Sequence, residues 1–552
     1  MFQKALREYE VVSLATGIDV RRFSWIRPLA GEYADNYSKV APLYAGDPTS
    51  PDAWRGAIAR AQQHARRRSE IAAVLSAQQE RRGAPPESRT AAALLQDRDT
   101  VAVVTGQQAG AFGGPLFTLL KAITAIQLAR RTSAEHGVNT VAIFWVDAED
   151  HDWDEVRSVT VLDAAFQPRT IELEAPEGAG QLPIASLILD ERVNCSIDEL
   201  QAALAPTDFT DWTMTGLRAA WRPGEGMAAA FARWLEELLG PLGLVVFESA
   251  DPAAKPLVAD LFARELQFPG KTAALAAAAG AALQERGHQP QVLPHPDSVS
   301  VFRLEDSRRP IRRQGDQFLV GENVHSPSTL ATEAVDHTER FSPNVLLRPV
   351  VQDALFPTVC YVAGPSELAY LGQLRGVYEH FGVPMPLMYP RASATLIDSA
   401  TARFLAKHNV PIEDLQRQDE SALNRLLQSQ LPKNVEESLS EAEDSIRRTM
   451  ERVIEVMPEV DPTLAGAAKT TLGRMEHDLK ALRGKMIQAA KKRDETLRRQ
   501  FARAQAQIFP LGHPQERTLG VVFFLNRYGP ALVDRLIEEL PLELGKHWII
   551  AI

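Results

Sequence analysis

Val101-Ala102-Val103-Val104 is a short apolar, β-branched run that predicts a buried strand. A glycine-rich stretch, Gly106 to Gly114, follows it, and Pro115 stands where a helix can start. Leu116, Leu119, Leu120, Ile123 and Ile126 then recur at helical spacing to about Arg131, and Val141-Ala142-Ile143-Phe144-Trp145-Val146 is the next apolar run. Strand, loop, helix and strand in this order make a βαβ unit, which requires a parallel sheet with a right-handed crossover. No other stretch of the chain restricts the fold as tightly.

Three further pieces fit the same sheet. Leu244 to Phe247 predicts a strand followed by a helix over Pro252 to Leu266. Cys360 to Ala363 predicts a strand followed by a helix over Ser366 to Phe381, and Pro386 to Tyr389 a last strand. The long gaps near 155–240 and 270–345 are expected as insertions into this core. Val299 to Phe302 and Gln317 to Val320 predict small β structure in the second of them. Asp52 to Gln79 and Ser88 to Gln96 have helical spacing, with a break at Gly83-Ala84-Pro85-Pro86. The expected fold class is α/β: a Rossmann-like, doubly wound parallel sheet core over residues 1–397, helical at its N-terminal end and carrying the two insertions.

From 398 the texture changes. Val435, Leu439, Ala442, Ile446, Thr449, Val453 and Val456 alternate steps of four and three, as do Ala465, Ala468, Leu472, Met475, Leu479, Leu482, Met486 and Ala489. Both are heptad patterns, and Pro458 to Pro462 interrupts them. The prediction is an α-helical, antiparallel coiled-coil domain over 398–510 with arms at about 434–457 and 465–500. Residues 434–457 carry seven acids and three bases, whereas 466–503 carry eleven bases and four acids. Opposite charge favours pairing of the two arms, although each exposed pair is worth only about 0.2–1 kcal/mol. Residues 511–552 are expected to pack back on the core.

Composition narrows the function. A net charge of −11 over 552 residues argues against a general nucleic-acid binder. The basic groups Lys491-Lys492-Arg493 and Arg498-Arg499 lack interleaved aromatic residues and are expected to be a solvated helix face. Cys195 and Cys360 form no CxxC pair, which argues against a zinc or dithiol site and fits a reducing, cytoplasmic setting. Met1 to Val11 carries Lys4, Arg7, Glu8 and Glu10 with no apolar core, unlike a signal peptide. The uncharged run Thr100 to Leu120 holds four glycines, Pro115 and two glutamines, so a membrane span is not expected.

Four motifs could carry chemistry. The loop containing Thr105, Gly106, Gln107, Gln108, Gly113 and Gly114 lies between a strand and a helix N-terminus, where backbone N–H groups and the helix dipole favour an anion such as a nucleotide phosphate. It is neither GxGxxG nor a Walker A motif, and tight structural packing is the competing explanation. Asp147-Ala148-Glu149-Asp150-His151-Asp152 follows the second strand; Glu149 or Asp150 could hold Mg²⁺ or an amine, His151 could act as acid or base, and Asp150 or Asp152 could instead cap a helix. Gly364-Pro365-Ser366-Glu367 follows the third clear strand, with Ser366 a natural N-cap and Glu367 and Tyr370 candidate ligand contacts. In Tyr389-Pro390-Arg391-Ala392-Ser393, Arg391 could hold a phosphate or carboxylate. No metal-ligand set is predicted beyond the acidic cluster.

Val103 to Gly110 through Gly113-Gly114-Pro115-Leu116, Phe144-Trp145-Val146 with Glu149-Asp150-His151-Asp152, Val362 to Glu367 and the late Gln515-Glu516-Arg517 together resemble the BshC family of bacillithiol biosynthesis. The resemblance spans essentially the full chain. It implies a Rossmann-type core similar to class I aminoacyl-tRNA synthetases and nucleotidylyl transferases, and a coiled coil that makes a homodimer. The implied reaction joins the carboxyl of L-cysteine to the amine of glucosaminyl-malate. A free carboxylate does not acylate an amine in water without activation, so ATP or another adenine nucleotide is the expected co-substrate, with Mg²⁺ a further candidate. On this basis His151, Glu149, Asp150 and Arg391 are the candidate catalytic residues. Thr105, Gly106, Gln107, Gln108, Gly113, Gly114, Gly364, Ser366 and Glu367 are the candidate nucleotide contacts. A nucleotide-binding scaffold recruiting partners through its coiled coil, or a nucleotidylyl transferase acting on another small acceptor, are the alternatives.

Overall fold

Five apolar runs pair into one parallel sheet: β1 (Val101–Gln108), β2 (Thr140–Asp147), β3 (Val245–Glu248), β4 (Thr358–Ala363) and β5 (Leu387–Pro390). This computed structural model describes residues 15–429, 433–461, 463–493 and 495–552; side-chain detail is further limited at 433 and 490–493. Met1 to Val11, Pro462 and the side chains of Lys491-Lys492-Arg493 therefore lie outside the described residues. By its internal contacts the chain divides into two units, one formed by the residues up to 396 together with 515–552, the other by 397–514.

The sheet order is β5-β4-β1-β2-β3, with every pairing parallel. It is the doubly wound arrangement, in which the winding direction reverses between β1 and β4. Alternate residues of each strand point to opposite faces. Val101 and Val103 enter one core with Phe144 and Val146, while Ala102 and Val104 enter the other with Ile143 and Trp145. Both faces are thus covered, as a parallel sheet requires. The Leu116–His136 helix links β1 to β2 and ends on Gly137 in a left-handed C-cap.

β1 is longer than its apolar run suggested and continues through Thr105 to Gln108. Gly106 permits this: a Cβ there would lie 2.9 Å from the carbonyl oxygen of Trp145 on β2. The first insertion contains an antiparallel hairpin, Ser158–Leu162 with Pro168–Glu172, and the helices Arg192–Ala203, Thr210–Ala220 and Met227–Leu239. The second holds a five-stranded antiparallel sheet in the spatial order 323–325, 317–320, 308–314, 298–304, 341–343. The helix expected over Ser366 to Phe381 is two short ones, Glu367–Leu371 and Arg375–Phe381. The Tyr44 hydroxyl donates to the carbonyl of Leu368, the second residue of the first. Residues 546–551 form a strand antiparallel to 15–19.

In the second unit the Lys433–Val456 and Leu464–Arg493 helices form the antiparallel hairpin that the heptads predict. Arg447 pairs with Glu476 at 3.0 Å, and Arg483 with Glu443 at 3.0 Å and Glu436 at 3.4 Å. Leu439 and Ala468 are buried. Val456, Met475 and Leu482 stay 55%, 40% and 47% exposed.

Candidate functional site

In an open parallel sheet, ligands bind beyond the carboxyl ends of the strands where the winding reverses. A cavity of about 730 Å³ opens there. Its walls are Gly106, Gln107 and Gln108 from the end of β1, Asp147 and Asp150 after β2, Gly364, Ser366 and Glu367 after β4, and Arg391 after β5. Sequence reasoning had placed these last-named segments at one sheet edge, and the structure brings them together.

At the back of the cavity, Lys121 reaches from the Leu116–His136 helix. Its ammonium donates to the Gly106 carbonyl at 2.8 Å and to Gln107 Oε1 at 3.2 Å, and pairs with Glu367 Oε2 at 2.6 Å. Glu367 also accepts from the Gly364 N–H and from the hydroxyls of Tyr361 and Tyr370 at 3.1 and 3.2 Å. Burial raises the Glu367 carboxyl, but the Lys121 charge and hydrogen bond outweigh it, and its pKa falls below the ordinary value. Ser366, expected to cap the helix, makes no capping hydrogen bond.

A second cluster lies after β2. Asp150 pairs with Arg308 at 3.1 Å and accepts from the Gln108 amide at 3.3 Å. The same amide donates to Glu155 at 2.7 Å. Arg308 continues to Ser342 Oγ and the Pro343 carbonyl and lies 4.0 Å from the centroid of the Phe302 ring. Arg348 stands 3.6 Å from Asp147 and donates to the Tyr370 hydroxyl at 3.3 Å. Burial pushes the Asp147 carboxyl up, with Arg348 opposing. Asp152 caps the Trp153–Val156 helix by accepting from the Glu155 N–H, the structural role foreseen for this cluster.

Several expected site residues stand elsewhere. Glu149 is buried against the Lys255 ammonium, which also donates to the Phe341 carbonyl, and does not line the cavity. Its carboxylate is held inside the protein rather than offered to a metal or an amine. His151 is also outside the cavity lining; its side chain is 43% exposed, with Nδ1 3.3 Å from Asp150. Among the described residues no group of three or more His, Cys, Asp or Glu side chains is arranged to hold a metal.

Of the glycine loop, Gly106, Gln107 and Gln108 line the cavity, while Thr105, Gly113 and Gly114 do not. Thr105 is buried and its hydroxyl donates to the Val362 carbonyl at 3.0 Å. Gly113, at φ +94°, lies under the Trp234 ring, where a Cβ would come within 2.0 Å of Cζ3. The Leu116 N–H at the helix start donates to the Leu519 carbonyl at 2.8 Å, and Val521 donates to the Gly114 carbonyl at 2.9 Å. Gly113 and Gly114 therefore serve close packing, and this N-terminal N–H is already satisfied by the chain.

Arg391 does line the cavity, but its guanidinium is engaged from behind. It binds Glu516 through two hydrogen bonds of 3.0 and 2.7 Å. Glu516 also accepts from Ser393 and from the Ala394 N–H, and Ser393 contacts His547 Nδ1 at 2.7 Å. Lys121, Arg308, Arg348, Phe117 and Arg517 also stand in the walls. Lys121 stands two turns into the helix, too far from the glycine loop on sequence reasoning to act as a Walker-type lysine; Phe117, Arg308 and Arg348 carry no local motif, and Arg517 carries a signal only through the Gln515-Glu516-Arg517 triplet.

A Rossmann-like sheet whose strand ends enclose a cavity of mixed charge, followed by a helical coiled coil, defines a class of two-part α/β proteins. Residues 16–392 match the domain described as "Bacillithiol biosynthesis BshC, N-terminal Rossmann-like domain", and residues 394–552 the corresponding C-terminal coiled-coil domain. The chain belongs to the BshC family. A relative from Salinibacter ruber is 34% identical, covering 94% of this chain and 95% of its own, and one from Symbiobacterium thermophilum is 34% identical over 93% and 95%. One from Koribacter versatilis is 33% identical over 85% and 87%. Each bears the name "Putative cysteine ligase BshC". Among the described residues no helix is long and apolar enough to cross a membrane.

Proposed function

We propose that this chain is a ligase that forms an amide between the carboxyl of L-cysteine and the amine of glucosaminyl-malate, with an adenine nucleotide as co-substrate. The observation that carries this reading is the cavity at the β1/β4 reversal, in a chain of the BshC family, with carboxylates and guanidiniums facing one space. Bound nucleotide supplies the activation that a free carboxylate lacks. Its volume and its cationic wall suit polar, charged substrates.

The residues divide the work. Asp147 and Asp150 attract an ammonium group and hold the acceptor amine in place. Asp147, whose carboxyl burial pushes up, takes the proton that this amine releases as its nitrogen bonds to the activated cysteine carbonyl carbon and the bond from that carbon to the activating phosphoryl oxygen breaks, the electron pair leaving on that oxygen with AMP or phosphate. Lys121 and Glu367, each satisfied by the other, keep the end of β1 and the turn after β4 rigid beside the reacting groups. Glu149 and His151 are left out of this scheme by their positions.

The test is one reaction followed by mass spectrometry: protein, ATP, Mg²⁺, L-cysteine and glucosaminyl-malate. The expected outcome is the cysteinyl amide, with AMP marking adenylation or ADP an acyl-phosphate route. Folded protein that binds nucleotide yet forms no amide under these conditions would sink the reading and favour a non-catalytic scaffold.

A further inference from the structure

The cations around the cavity are not equivalent. Lys121 is held by Glu367, Arg308 by Asp150, Arg348 by Asp147 and Tyr370, and Arg391 by Glu516. Arg517 differs. It lines the cavity, yet among the described residues its guanidinium makes no hydrogen bond or ion pair.

The local chain explains why. Arg517 belongs to the short helix Gln515–Thr518, whose successive side chains point different ways. Gln515 bonds to both the N–H and the carbonyl of Leu396. Glu516 turns inward and saturates itself on Arg391, Ser393 and Ala394. The carboxylate nearest in sequence is therefore spent inside the wall. The Arg517 guanidinium lies 5.7 Å from the centroid of the Phe117 ring, and that of Arg391 5.5 Å from the same centroid. Two guanidiniums converge on one ring with one carboxylate between them. Desolvation and the like charge of Arg391 lower the Arg517 pKa, and the more distant carboxylates of Glu516 and Glu155 offset this only in part.

We infer that Arg517 is the anion anchor of this cavity, seating one carboxylate or phosphoryl group of a substrate through its guanidinium edge while Phe117 supports its face. A planar fork of N–H donors suits such a group. On the ligase reading proposed above, on which this assignment of source rests, the anion is a carboxylate at the malyl end of the acceptor. Its amine then falls toward Asp147 and Asp150, and the charge polarity of the cavity orients the molecule.

The experiment compares the full-length protein with Arg517→Ala and Arg517→Lys. Arg517 keeps part of its surface open to solvent at the cavity wall and makes no hydrogen bond or ion pair to the rest of the described chain, so both variants should keep the parent melting temperature. Loss of a charge-assisted contact of this type should raise the KM for glucosaminyl-malate about tenfold or more in Arg517→Ala. The kcat and the KM for cysteine should hold, as should activity on methyl glucosaminide, which lacks malate. Calorimetry with malate and with inorganic diphosphate reads the subsite without turnover. A rise in KM for ATP with loss of diphosphate binding would keep the anchor and move its ligand to the nucleotide. Malate binding lost in Arg517→Ala, in a protein that performs no ligation, would uphold the anchor while removing the ligase reading. Unchanged KM values and unchanged binding of both anions would overturn the inference.

Discussion

Replacing Glu516 by Gln should leave Arg391 buried beside a neutral side chain. The exchange keeps the shape, but an amide N–H₂ then faces either the guanidinium or the Ala394 N–H, both of which donate to Glu516 in the parent. Breaking a buried pair by removing one charge costs about 3–5 kcal/mol. The unit containing it has about 430 residues, whose unfolding entropy near the midpoint is about 0.9 kcal/mol/K. The transition of that unit should therefore fall by about 3–6 °C. Calorimetry of the full chain measures this directly. The apolar double variant Arg391→Met with Glu516→Leu removes both charges and should recover most of the loss. A shift below about 1 °C in the single variant, or a double variant no better than the single, would refute the claim that this pair is a buried, mutually dependent unit.

Gly113→Ala should destabilise by about 2–4 kcal/mol, since its Cβ would overlap the Trp234 ring at a positive φ, and Trp234→Ala in the same chain should relieve part of it in urea unfolding. Burial pushes the His547 imidazole down to about 4, so its neutral form is the one the fold accepts; the stability it contributes is complete above about pH 6.5 and is lost as pH falls toward 4. His547→Gln should flatten the parent's stability profile across that window, as read by thermal melts at stepped pH. Asp147→Asn should lower turnover by about 10²–10⁴-fold, whereas His151→Ala should stay within about threefold of the parent; equal losses in the two would reverse the assignment. The exposed Val456, Met475 and Leu482 suit a second copy of the hairpin, so sedimentation should find a dimer that Met475→Glu with Leu482→Glu converts to monomer.

The sheet was legible because each of its strands is an apolar run, and apolar runs mark buried parallel strands wherever they occur. The edge at which ligands bind followed from topology, so Gln108, Asp150, Glu367 and Arg391 were found together. The Gly113-Gly114 end of the glycine loop lies outside the cavity for a physical reason. A chain passing under Trp234 and a chain cradling a phosphate need the same missing Cβ, and composition does not distinguish them. Glu149 and Asp150 are adjacent and chemically alike, yet Lys255, 106 positions from Glu149, takes one of them into the interior. The cavity's cations come from a helix two turns past the loop, from an inserted sheet, and from a four-residue helix near the C-terminus. Apart from the Gln515-Glu516-Arg517 triplet, nothing in their local sequence marks them, since only the tertiary fold makes them neighbours.

The wall made by Glu516 and Arg517 also has a consequence for synthesis. The first cavity residues, at the end of β1, precede Arg517 by about three quarters of the chain, including all of the 397–514 unit. At about 5–20 residues per second, a ribosome needs about 20–80 s to travel from Gly106 to Arg517. Arg391 waits for a counter-charge 125 positions downstream. During that interval the nascent core lacks its closing carboxylate, so binding competence arrives late, with the Gln515–Thr518 helix, rather than growing gradually along the chain.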